Sequence, residues 1–214
     1  MKIRTRQFRS LSVALKELEP FIRNGEHLQT GKPFERFGDL RSRELLANWL
    51  LCVTFNAESG DERMTFTTDP DGSDGIIYDT KTEQPYPTEH VMVPQVKRKP
   101  GEDEKCGAID YEALILAAID QKRSKGGEAY ARGKSLVVFL NAGGGGAWFP
   151  NRVARKLPSP LYFAIVWVVG LHQVQADGEY VYGVTQLDVS EGNAMVWHVR
   201  IGKNFDTWRV ERIQ

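Results

Sequence analysis

Residues 135–140, Ser-Leu-Val-Val-Phe-Leu, form an unbroken apolar run of strand length. A strand with one face in water alternates apolar and polar residues; one that does not alternate is covered on both faces. A chain holding such a run therefore needs layers above and below a sheet, and helical patterns supply them. Leu11, Leu15, Leu18 and Ile22 recur at helical spacing within 10–23, and Asn24-Gly25 closes that segment. Residues 26–38 read as a polar loop. A stronger helix is expected over 39–56, capped by Asp39, with Leu46, Leu50 and Val53 in one stripe and Trp49 beside it. A third helix over 110–124 is stopped by Gly126-Gly127. A short one over 151–156 cannot run on into Pro158 and Pro160.

The remaining segments are β-like. Runs at 63–68 and 75–79 are joined by Asp69-Pro70-Asp71-Gly72, each residue type having its own turn chemistry. A turn segment over 80–87 leads into Thr88-Glu89-His90-Val91-Met92-Val93, which ends at Pro94. Residues 97–107 are a charged loop and 143–146 a glycine loop. Strands are expected at 161–174, 180–189 and 194–201. The order predicts an α/β fold: a mixed sheet flanked by helices, with a β-rich C-terminal extension. Residues 1–38 would be an N-terminal helix and loop packed on the core, and 39–214 a single domain.

Charge and cysteine count narrow the function classes. Lys+Arg and Asp+Glu are both 28, so a protein that coats nucleic acid or membrane by bulk charge is excluded and any anion site is local. Two cysteines make no disulfide framework and suit a reducing cytoplasm. The basic start is not followed by an apolar run of signal-peptide length. The longest apolar stretch, 161–171, is about half the ~20 residues of a membrane helix. The expectation is a soluble cytoplasmic protein with no membrane partner. His27, His172 and His198 are scattered without zinc-ligand spacing, Cys52 lies in an apolar helix, and Cys106 has no CxxC partner. The glycine loop lacks the Lys-Ser/Thr of a phosphate-binding loop.

Two acids stand out. Asp74 begins one expected strand and Glu89 the next, and neighbouring strands lie about 4.8 Å apart. Carboxylates at matching strand ends can share a hard cation such as Mg²⁺, which takes oxygen ligands. On these residues and this element order, the segment 39–140 resembles the PD-(D/E)xK restriction-endonuclease-like nucleases. That family has a helix bearing an acid, a three-stranded meander with an Asp on its second strand and (D/E)-x-K on its third, then a crossover helix and a further strand. The resemblance implies a restriction-endonuclease-like fold, Asp74 and Glu89 as ligands of Mg²⁺ (or Mn²⁺), Glu44 as the assisting acid, and hydrolysis of phosphodiester bonds in nucleic acid.

The lysine slot two residues after Glu89 holds Val91. Two residues are candidates to replace it. Gln95 shares a strand face with Glu89 by period-2 alternation but lies beyond Pro94. Lys122 continues the stripe Ile115, Ala118, Ile119 on the expected crossover helix and is the preferred stand-in. His90 alternates to the other face, as a packed or hydrogen-bonded residue. Nucleic acid would meet local cations at Lys97-Arg98-Lys99, at Arg152, Arg155 and Lys156, or at Lys2, Arg4, Arg6 and Arg9, with Trp148 as a stacking platform. Val91 also keeps a second function open, a non-cleaving nuclease-like scaffold that binds protein or nucleic acid. The apolar strands from 161 to 201 leave a homodimer open.

Overall fold

The apolar run, β4 (Ser135–Leu140), lies inside an eight-stranded mixed sheet. A computed structural model of the chain describes residues 10–30, 40–68, 73–96, 109–142, 147–187 and 192–214. The strands stand in chain order: β1 (Met64–Thr67), β2 (Ile76–Asp79), β3 (Gln84–Val93), β4, β5 (Ile165–Val174), β6 (Tyr180–Leu187), β7 (Ala194–Ile201) and β8 (Trp208–Arg212). β1, β2 and β3 form an antiparallel meander; β3–β4 and β4–β5 pair in parallel; the rest are antiparallel. Parallel neighbours need a crossover. Helix α4 (Tyr111–Ala131) supplies the first and the segment bearing α5 (Pro150–Ala154) the second.

β4 shows why its sequence does not alternate. Val137 and Phe139 join a core formed with α1 (Leu11–Arg23) and α3 (Ser42–Ser59). Leu136, Val138 and Leu140 join a second core with Ile115 and Ile119 of α4 and Val153 of α5. The stripe expected on α1 is buried at Leu15, Leu18 and Ile22. Helix α3 is buried at every residue from Ser42 to Thr54, more than one stripe, because α1 covers the side turned from the sheet. Trp49 is fully buried, donates its indole N–H to Leu11 O at 2.8 Å, and meets Trp208 edge-on at 5.5 Å.

Several boundaries differ from the sequence reading. Part of the expected loop after α1 is a short helix, α2 (Glu26–Thr30), drawn in by buried Leu28. Helix α3 starts at Ser42, and Asp39 lies outside the described residues; Glu44 Oε2 accepts from Arg41 N at 2.9 Å instead. β3 begins at Gln84, inside the expected turn, although Pro85 and Pro87 stand in it. Thr88 N donates to Gly75 O across to β2. By alternation the positions of Pro85 and Pro87 face the other way, where β4 has not yet begun, so no ladder bond is lost. The final strand β8 carries Arg209, Glu211 and Arg212 on the sheet edge, where charge discourages pairing with another chain. The C-terminal strands all continue the one sheet.

The β2–β3 hairpin carries a buried acid. Asp79 Oδ1 accepts from the amides of Lys81 at 2.9 Å and Thr82 at 3.2 Å, and Arg63 Nε lies 3.3 Å from Oδ2. Burial pushes its carboxyl up, but those amides and Arg63 outweigh it and leave the pKa below the ordinary value. A depressed folded pKa adds stability above the unfolded value that is lost as pH falls through the folded one. Wild type is therefore expected to lose more stability than Asp79→Asn as pH drops below about 4, read by urea denaturation at a series of pH values. Parallel pH curves for the two proteins would contradict this. Among the described residues, no helix is long and apolar enough to cross a membrane.

Candidate active site at the β2–β3 edge

A local irregularity sets up the site. Thr88 N donates to Gly75 O, as in a regular ladder, but Thr88 O accepts from Asp74 N at 3.0 Å. Two residues of one strand thus face one of the other, which is a β-bulge. A bulge turns side chains off the period-2 pattern. Asp74, just before β2, sends its carboxylate along the sheet edge, where Oδ2 accepts from His90 N at 2.7 Å. The side chain does there what the next backbone carbonyl of a longer β2 would do.

Glu89, in the middle of β3, faces α4 and is buried. Lys122 reaches it from α4: its Nζ lies 3.2 Å from Glu89 Oε2 and 3.6 Å from Asp74 Oδ2. One ammonium therefore touches both acids, in line with the helical stripe that ends at Lys122. Two further residues complete the cluster. Tyr130 OH accepts from Lys122 Nζ at 3.2 Å and donates to Glu89 Oε2. Lys134 Nζ donates to Glu89 Oε1 at 2.7 Å. Burial lowers the Lys122 pKa, but Asp74, Tyr130 and Glu89 more than offset it and raise the ammonium above the ordinary lysine value. Lys122 therefore stays a cation and can work by charge and donation, not as a base. Burial and the bond to Glu89 likewise raise the Tyr130 phenol, which keeps its proton.

Asp74 and Lys122 border a cavity of about 750 Å³. Glu44, Arg43 and Arg41 at the start of α3 line its opposite wall, and Lys125 its rim. Burial raises the Glu44 carboxyl, and nearby Asp74 adds to the rise against the Arg41 amide and Arg43. Burial lowers the Arg43 guanidinium. Glu44 thus has two attachments, the cap on Arg41 N and the wall facing Asp74. His90 turns to the α3 side, its Nε2 3.3 Å from Asn48 Oδ1 and 3.2 Å from Thr88 Oγ1. Burial, with Lys122 next, pushes its pKa down to about 3, so it is a neutral residue in the cavity lining.

Gln95 is apart from this group. It is exposed beyond β3, and its Oε1 accepts from Gln29 Nε2 at 3.3 Å. Val91 lines the cavity as an apolar residue. Of the expected nucleic-acid contacts, Arg152 lies over the Phe149 ring at 4.2 Å and Trp148 lines a separate small cavity near Gly170 and His172. The cations at 2–9 and 97–99, Cys106 and the glycine loop lie outside the described residues. His172 and His198 stack at 4.8 Å on the far strands. Cys52 is fully buried, which pushes its thiol up and leaves it inert.

Tyr130 and Lys134 were not foreseen from the sequence. Lys134 had a usable signal: it stands two residues before Leu136, the register partner of Glu89, and so shares its face. As for metals, the donors are all oxygens, the chemistry a hard cation takes, and Mg²⁺ commonly binds through one or two carboxylates and keeps its waters. Asp74 and Glu89 fit that limit; among the described residues no group of three or more His, Cys, Asp or Glu is placed to hold a metal. No protein-family model matches the chain, and no curated protein and no solved structure matches it significantly.

Proposed function

We propose that the chain is a divalent-cation-dependent nuclease of the PD-(D/E)xK kind whose motif lysine has moved from β3 to α4. The observation that carries this is the Lys122 ammonium within 3.6 Å of Asp74 and 3.2 Å of Glu89. The element order α3, β1–β2–β3, α4, β4 supports it, being that of the family's core. Asp74 and Glu89 are the residues that hold Mg²⁺ or Mn²⁺. When bound, that ion stabilises negative charge developing on the phosphodiester. Lys122 brings a fixed positive charge to the edge of the cavity and donates to an oxygen there. Arg41, Arg43 and Lys125 neutralise neighbouring phosphates along the cavity wall. Glu44 faces Asp74 and balances Arg43.

The test is incubation of the purified chain with DNA and RNA, with Mg²⁺ or Mn²⁺ and with chelator. Cleavage is expected only with the metal and only when both acids are present. Cleavage that persists undiminished in Asp74→Ala and Glu89→Ala removes the assignment.

A second reading has its own observation. Glu89 already accepts from Lys122, Lys134 and Tyr130 and does not line the cavity. A carboxylate so fully partnered suits a scaffold that binds nucleic acid or protein without cleaving. Calorimetry with Mn²⁺ separates the two readings: the enzyme binds the ion in a manner that Asp74→Asn abolishes, and the scaffold gives no heat.

A further inference from the structure

Glu89 is held by more than the lysine that the nuclease reading needs. We propose that Tyr130 and Lys134 are positioning residues that clamp the Glu89 carboxylate and aim its Oε2 at the Asp74 edge. This rests on the nuclease reading and assigns it two residues from outside the family motif.

The clamp has one donor on each oxygen. Lys134 takes Oε1 at 2.7 Å, and Tyr130 takes Oε2. A buried Glu has several rotamers, and donors on both oxygens fix the plane of the carboxylate. Hydrogen bonds to a ligating carboxylate orient it in the same way at metal sites generally. The two residues also hold each other, since Lys134 Nζ lies 4.6 Å from the centre of the Tyr130 ring.

Tyr130 reaches Glu89 only because α4 is broken. In a continuous helix, residues eight apart are about 12 Å apart along the axis and about 80° apart around it. Lys122 and Tyr130 would then diverge. Gly127 interrupts the helix with φ 58° and ψ −151°, and the chain re-forms a turn that ends at Ala131. That turn carries the phenol back to within 3.2 Å of Lys122. Lys134 N then donates to Ala131 O at 3.0 Å, which starts β4 with the Lys134 side chain on the Glu89 face. Neither Tyr130 nor Lys134 lines the cavity, so neither touches a substrate bound there.

The experiment uses the full chain, with Mn²⁺ binding by calorimetry and cleavage kinetics on one DNA substrate. Tyr130→Phe keeps the ring and removes only the donor; Lys134→Met removes the cation. Both are expected to weaken Mn²⁺ binding about tenfold or more. Both should lower kcat and leave KM for DNA unchanged, a split that general loosening of the fold would not give. Arg132→Ala, exposed on the same turn, is expected to match wild type. If Lys134→Met does not fold, Tyr130→Phe decides alone. Mn²⁺ affinity and kcat equal to wild type in Tyr130→Phe overturn the clamp and leave the nuclease reading standing. A wild-type chain that neither binds Mn²⁺ nor cleaves overturns the nuclease reading, and the clamp with it.

Discussion

Replacing Lys122 by Met is expected to lower metal-dependent cleavage on the order of 10²–10³-fold, the usual effect of deleting one preorganised electrostatic donor. The same change should leave the chain folded. Taking one partner from a buried ion pair can cost about 3–5 kcal/mol, because the other charge is left uncompensated. Here the compensation is shared. Glu89 keeps Lys134 and Tyr130, and Asp74 keeps the His90 amide. The side chain of Asp74 is also about a third exposed, which lets water screen it. The stability loss should therefore fall well short of that range, at about 1–2 kcal/mol by urea denaturation. Lys122→Arg tests the geometry separately. A planar guanidinium cannot place one nitrogen between the same two acids in the same way, so charge returns while most of the rate does not. Wild-type rates in Lys122→Met would mean that Lys122 does not serve the reaction, and its contacts with Asp74 and Glu89 would then be a structural ion pair.

Lys122 was legible in the sequence for a plain reason. It extends an unbroken helical stripe, and the residue after Ile115, Ala118 and Ile119 on that stripe must approach the sheet. Glu89 was singled out as the start of a strand beside Asp74, but β3 begins five residues earlier, at Gln84, and it is the bulge that brings Asp74 up to the middle of β3. Tyr130 was not, because Gly127 ends the periodicity that would place it. A φ near 58° can stop a helix or merely interrupt it, and the sequence does not distinguish the two outcomes. The prolines of β3 show a related limit. Pro85 and Pro87 read as a turn until it is known that β4 pairs only from Thr88 onward. β8 escaped because an edge strand bearing Arg209, Glu211 and Arg212 has no apolar alternation to find. Glu44 caps Arg41, and an arginine before a helix carries no capping signature. In each case local pattern was sufficient where one element met one face, and insufficient where the outcome depended on a neighbour elsewhere in the chain.

Gly75→Ala is expected to destabilise the fold on the order of 3 kcal/mol and to take most of the cleavage with it. Gly75 has φ 147°, a region nearly closed to residues with a Cβ. A Cβ built there stands 2.4 Å from Asn48 Nδ2 and 3.3 Å from Thr88 Oγ1. Asn48 cannot step aside cheaply. It is fully buried in α3, and its Oδ1 lies 3.0 Å from the Thr88 hydroxyl. Relief must come from the backbone, by flattening the bulge or pushing β2 away from α3. Either movement changes the direction of Asp74, whose aim depends on the offset between β2 and β3. The cost has two separable parts, strain in φ and crowding against Asn48. In a double-mutant cycle, Asn48→Ala should recover the crowding part of the stability in the Gly75→Ala background, giving a favourable coupling. The φ strain, and with it the misdirected Asp74, should remain, so cleavage should not recover alongside stability. If the double variant regains both, crowding alone governs the aim of Asp74, and the bulge is incidental to the site.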